Sequence, residues 1–112
     1  MTGVQTCALP ILSGVNNPYR YAYETVAASQ TAQVLGGAGA KGDYLHRVIV
    51  TVNTAATGTV TLLDNATSIP LVPANTPIGV YSIAVESASA SGAWKVTTGA
   101  GVTVVAVGVF SA

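Results

Sequence analysis

Charge is scarce in this sequence: four Lys and Arg and four Asp and Glu make up 7% of its 112 residues, against about 25% in an ordinary soluble domain. Arg20, Lys41, Arg47 and Lys95 stand singly among Glu24, Asp43, Asp64 and Glu86, and the formal net charge is zero. Without a Lys/Arg cluster the chain cannot gain the counterion-release free energy that dominates nucleic-acid binding, so DNA or RNA is excluded as a principal ligand. Long hydrophobic runs are missing too. Half the residues are hydrophobic, yet the longest apolar stretch, residues 102–110, contains Thr103 and Gly108 and falls short of the roughly 18 residues that a membrane-spanning helix needs. A surface built from Thr, Ser, Asn and backbone, with few charges, suits a protein packed against neighbours.

Catalytic chemistry also lacks its materials. The single histidine, His46, has no second imidazole or thiolate at ligand spacing, so no metal site and no cofactor are expected. The four carboxylates are widely separated, and no serine sits in a nucleophile-elbow pattern. Residue order alone leaves a triad of some serine with His46 and Asp43 or Asp64 open. The balance of residue types nevertheless predicts a non-enzyme. A G-x-G-x-x-G pattern occurs at Gly37, Gly39 and Gly42, with Lys41 inside it. A dinucleotide fingerprint must open a helix, whereas this one opens the strand-like D-Y-L-H-R-V, and Gly42 stands where a Walker loop places Ser or Thr. The expectation is a turn with positive φ. Asn65-Ala66-Thr67 is formally a glycosylation sequon, without meaning in the absence of a secretory signal.

Residues 1–11, M-T-G-V-Q-T-C-A-L-P-I, have no positive side chain and only a short apolar patch, so they do not read as a signal peptide. The string resembles the translation of an Illumina index adapter, with an initial GTG codon read as the start. It is therefore set aside as an artefact, expected to be disordered and to contribute nothing to the fold, and residues 12–112 are taken as one domain. Cys7, the only cysteine, falls within it, which leaves no disulfide, thiol nucleophile or Cys-based metal site in the remainder.

From Leu12 onward strand signals dominate. Residues 19–23 alternate aromatic with other side chains, residues 33–35 lead into a glycine-rich turn at 36–42, and residues 44–52 form a long β-branched run. Residues 24–33 are the one place where a short helix competes. Residues 59–63 read as a half-buried strand with Val60 and Leu62 on one face, and Asp64-Asn65 as a turn. Residues 68–72 read as an edge strand because Pro70 lacks a ladder donor. Further strands are expected at 78–85, 93–98 and 102–110. Short strands at this spacing predict an all-β fold, an antiparallel β-sandwich or a jelly-roll-like small barrel.

The last strand is apolar on both faces, Val102, Val104, Ala106 and Phe110 against Val105, Val107 and Val109. It is either central with both faces covered by its own chain or lies at a subunit contact. Tyr19, Tyr21 and Tyr23 share one face of an extended segment, as sandwich cover or as an intersubunit arm. These six residues are the candidate interface, and Trp94, alternating with Lys95 and grouped with Val96, is the candidate core anchor.

The strings A-S-Q-T-A-Q-V-L-G-G-A-G-A-K-G-D-Y-L, T-G-T-V-T-L-L-D-N and G-A-W-K-V-T-T-G-A-G-V-T-V-V-A-V-G resemble small structural proteins encoded in tailed-bacteriophage virion gene clusters. The adapter-like start fits an environmental, metagenomic assembly. The resemblance implies a virion subunit of capsid-decoration or head-fibre type, present in the host cytoplasm during assembly. Its partners would be itself, as a small homo-oligomer such as a trimer, and other virion proteins, with no nucleic acid and no membrane. A carbohydrate-binding or adhesin module on the same scaffold is the competing expectation, and it would place exposed aromatics beside Asp, Asn or Gln.

Overall fold

A computed structural model of the protein describes residues 21–55 and 58–111, and over these the β-branched runs are strands: β1 (Ala22–Val26), β2 (Gln33–Val34), β3 (Tyr44–Val52), β4 (Val60–Asp64), β5 (Thr67–Val72), β6 (Gly79–Ala88), β7 (Trp94–Thr98) and β8 (Val102–Val109). Residues 24–33 hold no helix, because the alternation of residues 21–23 carries on through Thr25 to Val26, whose side chain is buried in the core. The segment then turns through Ser29 and Ala32, both at positive φ. Tyr19, Arg20 and the adapter-like residues lie outside the described residues.

Every ladder is antiparallel, and the pairs are β1·β8, β2·β7, β3·β6 and β4·β5. The first four strands thus run as one long hairpin against the last four. Rolling that hairpin places alternate pairs in different layers, and the ladders β3·β8 and β4·β7 complete the two sheets, β1-β8-β3-β6 and β2-β7-β4-β5. The described residues thus form an eight-stranded jelly roll, the double-sheet form of the β-sandwich.

Alternation then fills the space between the layers. Val48, Val50, Val52, Val102, Val104 and Ala106 from the first sheet meet Val60, Leu62, Trp94 and Val96 from the second, all buried. Each such Val or Leu contributes about 1.5–3 kcal/mol by leaving water. β5 lies at a sheet edge, where Pro70 needs no partner for a missing donor. The β4–β5 hairpin closes through Asn65 at φ 58°, a conformation asparagine tolerates in two-residue turns.

Residues 36–42 form a loop with Gly36, Gly39 and Gly42 at positive φ. Its amides are spent on the protein's own oxygens. Gly36 N–H donates to Glu24 Oε1 at 2.8 Å, Gly39 N–H to the Ser111 carbonyl at 3.0 Å, Ala40 N–H to Asp43 Oδ2 at 3.0 Å and Gly42 N–H to Ser89 Oγ at 2.9 Å. The loop clasps the end of the chain and is not shaped as a phosphate cradle.

Candidate assembly face

Because Val102, Val104 and Ala106 of β8 point into the core, Val105, Val107 and Val109 point out. Register extends this outward row sideways. Val105 lies between Thr25 of β1 and Ile49 of β3, which is followed by Ser82 of β6. Val107 lies between Tyr23 and Arg47, followed by Ala84. Val109 sits beside Tyr44, and Thr103 beside Thr51 and Val80. The outer face of the first sheet therefore carries apolar or aromatic side chains on each of its four strands, interspersed with Thr25, Thr51, Thr103, Ser82 and Arg47. Tyr23 is 73% exposed on it and Val80 68%. The elements β8 packs against most are its two ladder neighbours, with β7 across the core, and in the outward row Val109 is 37% exposed.

Five of the six sequence-derived interface residues, Tyr21, Tyr23, Val105, Val107 and Val109, come together on this face, while Tyr19 lies outside the described residues. Sequence reasoning missed Tyr44, His46, Arg47 and Ile49. Alternation within β3 was a usable signal for Ile49, since Val48 and Val50 flank it. His46 was hidden by a bulge: the register slips between Leu45 and Arg47 against both β6 and β8. The extra residue puts His46 on the outer side, where its ring stacks on Tyr21 with centroids 4.7 Å apart, and Tyr21 stacks on Tyr44 at 6.1 Å. The buried His46 Nδ1 has no hydrogen-bond partner. Loss of solvation, then the proximity of Tyr21 and Glu86, raises the Tyr44 hydroxyl above the usual tyrosine range. Arg47, the one cation in these rows, is held by donating through its Nη1 to Ser82 Oγ.

The opposite outer face is different in character. With Val96 and Leu62 turned inward, β7 presents Lys95 and Thr97 outward and β4 presents Thr61 and Leu63. Thr97 Oγ1 accepts the Ala32 N–H at 2.9 Å.

Three of the four carboxylates are occupied structurally. Asp43, buried, accepts from Ser111 Oγ at 2.7 Å, Ser111 N–H at 2.9 Å and Ala40 N–H at 3.0 Å. Asp64 accepts the Ala90 and Ser91 amides at 2.9 and 3.0 Å, and these bonds hold its carboxyl below the usual range despite some loss of solvation. Glu24 ties β1 to the other sheet through Gln33 Nε2 and Gly36 N–H, each at 2.8 Å. Among the described residues no three His, Cys, Asp or Glu side chains gather as metal ligands, and no helix is long and apolar enough to cross a membrane.

A cleft of about 700 Å³ opens where β5 and β6 form the mouth of the sandwich, lined by Leu71, Pro73, Pro77, Tyr81 and Ile83 among others. Its hydroxyls are engaged within the protein: Tyr81 donates to the Pro77 carbonyl and Thr76 to the Pro73 carbonyl, both at 2.7 Å, and Ser82 Oγ accepts from Arg47. It lacks the convergent free polar groups that orient a small ligand. Trp94 is 3% exposed between the sheets. No family model, no curated protein and no solved structure matches the chain.

Proposed function

We propose that the protein is a non-enzymatic structural subunit of a tailed-bacteriophage virion, a capsid decoration or head- or tail-associated piece, that assembles through the outer face of its first sheet. The observation that carries this reading is the asymmetry between the two outer faces. One shows Lys95, Thr61 and Thr97 beside Leu63. The other gathers Val105, Val107, Val109, Ile49, Tyr21 and Tyr23 around Thr25, Ser82 and a single arginine, Arg47, with Tyr21, Tyr23, Val80 and Val109 among its exposed large hydrophobics, the kind of cluster that marks an interaction site. Aromatics with a single arginine match the composition of interface centres. Jelly rolls recur in viral capsids and also in lectins, so the fold alone does not choose between them. What favours assembly is the setting of Tyr21 and Tyr23: beside them stand Val107, Val109, His46 and Tyr44, where a sugar's hydroxyls would call for Asp, Asn or Gln side chains.

Val107→Lys tests the proposal. A charge forced into a desolvated contact dissociates it, while a lysine on an outward position leaves the sandwich folded. Light scattering is expected to show an oligomer for the wild type at high micromolar concentration and a smaller species for the variant, with unchanged circular dichroism. A variant that unfolds would place the row in the core. A strictly monomeric wild type would remove self-assembly from the reading. The same reading expects the flanking genes to encode head and tail proteins.

A further inference from the structure

We propose that β6 is a self-pairing edge: β6 of one molecule hydrogen-bonds antiparallel to β6 of a second copy across a twofold axis, joining two first sheets into one continuous eight-stranded sheet. The four edge strands are unequal. β2 has 2 residues, β1 has 5, and β5 carries Pro70, each a feature that limits strand addition. β6 has 10 residues, pairs among the described residues on one side only, with β3, and contains no proline and no lysine. Both its rows are largely apolar: Tyr81, Ile83 and Val85 packed against the core, Val80, Ser82 and Ala84 on the outer, exposed side. Ile78 and Val80 at its start are 65% and 68% exposed. Over Gly79–Val85, ahead of the charge and the bulge at Glu86, the edge lacks the usual protection and is a template for another strand.

The occupant is a second copy because Gly79–Val85 is uncharged and the strand can pair with itself antiparallel without its one charge meeting its like. Its one charged residue, Glu86, sits at a bulge near one end, at φ 51° and opposite the slip in β3. Antiparallel pairing about Ser82 or Ile83 sends the two Glu86 side chains to opposite ends, facing Ile78 or Val80, so no like charges meet. The bulge ends the pairing segment at Val85. The joined sheet also makes the apolar outer faces of the two copies continuous. This contact uses residues other than the central Val105–Val109 row and does not depend on the virion reading.

Hydrogen exchange decides it. In an antiparallel ladder alternate amides point away from the existing partner, so half of the β6 amides between Gly79 and Val85 face the free edge. They are expected to exchange at least about tenfold more slowly in a concentrated sample than in a dilute one. Val80→Glu, which sets a second carboxylate opposite or diagonal to the partner's Glu86 in either register, should abolish that concentration dependence, whereas Val107→Lys should retain it. Edge amides that exchange freely at every concentration would overturn the proposal. Protection that persists on dilution and in Val80→Glu would overturn it too, by showing that the chain covers its own edge. Should Val80→Glu lose its circular dichroism signal, the wild-type dilution series still gives the answer.

Discussion

At the scale of single residues, Trp94 and Asp43 hold one another in place. The indole fills the core and its Nε1–H donates to the Asp43 carbonyl at 2.8 Å, an oxygen that also accepts the Ser89 N–H at 2.9 Å. The Asp43 carboxylate meanwhile anchors Ser111 and the glycine loop. One aromatic side chain therefore supports the core and, through Asp43, the clasp on the end of the chain. Trp94→Ala is expected to cost about 3–5 kcal/mol, a large part of the 5–15 kcal/mol typical of a domain. Trp94→Phe keeps most of the burial and leaves the carbonyl one remaining donor, so its cost should be lower by at least about 1 kcal/mol. Urea titrations of the three proteins measure both differences. A near-neutral Trp94→Ala would mean that the indole does not anchor the core.

At the scale of elements, the strands that could be read from sequence are those whose burial follows strict alternation. β3 runs over residues 44–52, as its β-branched pattern predicts, and Pro70 marks β5 as an edge. The continuation of β1 past Tyr23 was not legible in its aromatics, since the pairing of Val26 with Val104 is a long-range contact. The rolled topology and the bulges at His46 and Glu86 were equally hidden, because both are properties of pairing between distant segments. The candidate face was legible as two separate apolar rows, one tyrosine and one valine, and only register shows that they adjoin. Gly108 is the element-level test of the bulge. A Cβ there would approach Leu45 Cα at 3.0 Å and collide with the Tyr44 carbonyl, so β8 would have to move away from β3. Gly108→Ala should destabilise by about 1–3 kcal/mol and speed amide exchange around Tyr44, His46 and Val107. A variant as stable as the wild type would show that the bulge can yield.

At the scale of the whole molecule, scarcity of charge and the apolar face make one physical statement about assembly. The rows centred on Val105, Val107 and Val109 contain Arg47 as their cation, and its guanidinium is engaged with Ser82. β6 contributes only Glu86. Association through either surface then rests on apolar burial and backbone hydrogen bonds, with ion pairs as a minor part. Between about 0.1 and 1 M sodium chloride the screening length falls from about 10 to about 3 Å, enough to dissolve an assembly held by surface charges. Here the association constant should stay within about threefold over that range, because the contacts carry few charges to screen. Sodium sulfate, which is excluded from protein surfaces, should strengthen it, and cooling from room temperature toward freezing should weaken it as apolar burial loses driving force. Sedimentation equilibrium across salt and temperature reads all three trends. Dissociation by sodium chloride would instead place Lys95, Lys41 and the other scattered charges at the contact, and would move the assembly surface to the polar face.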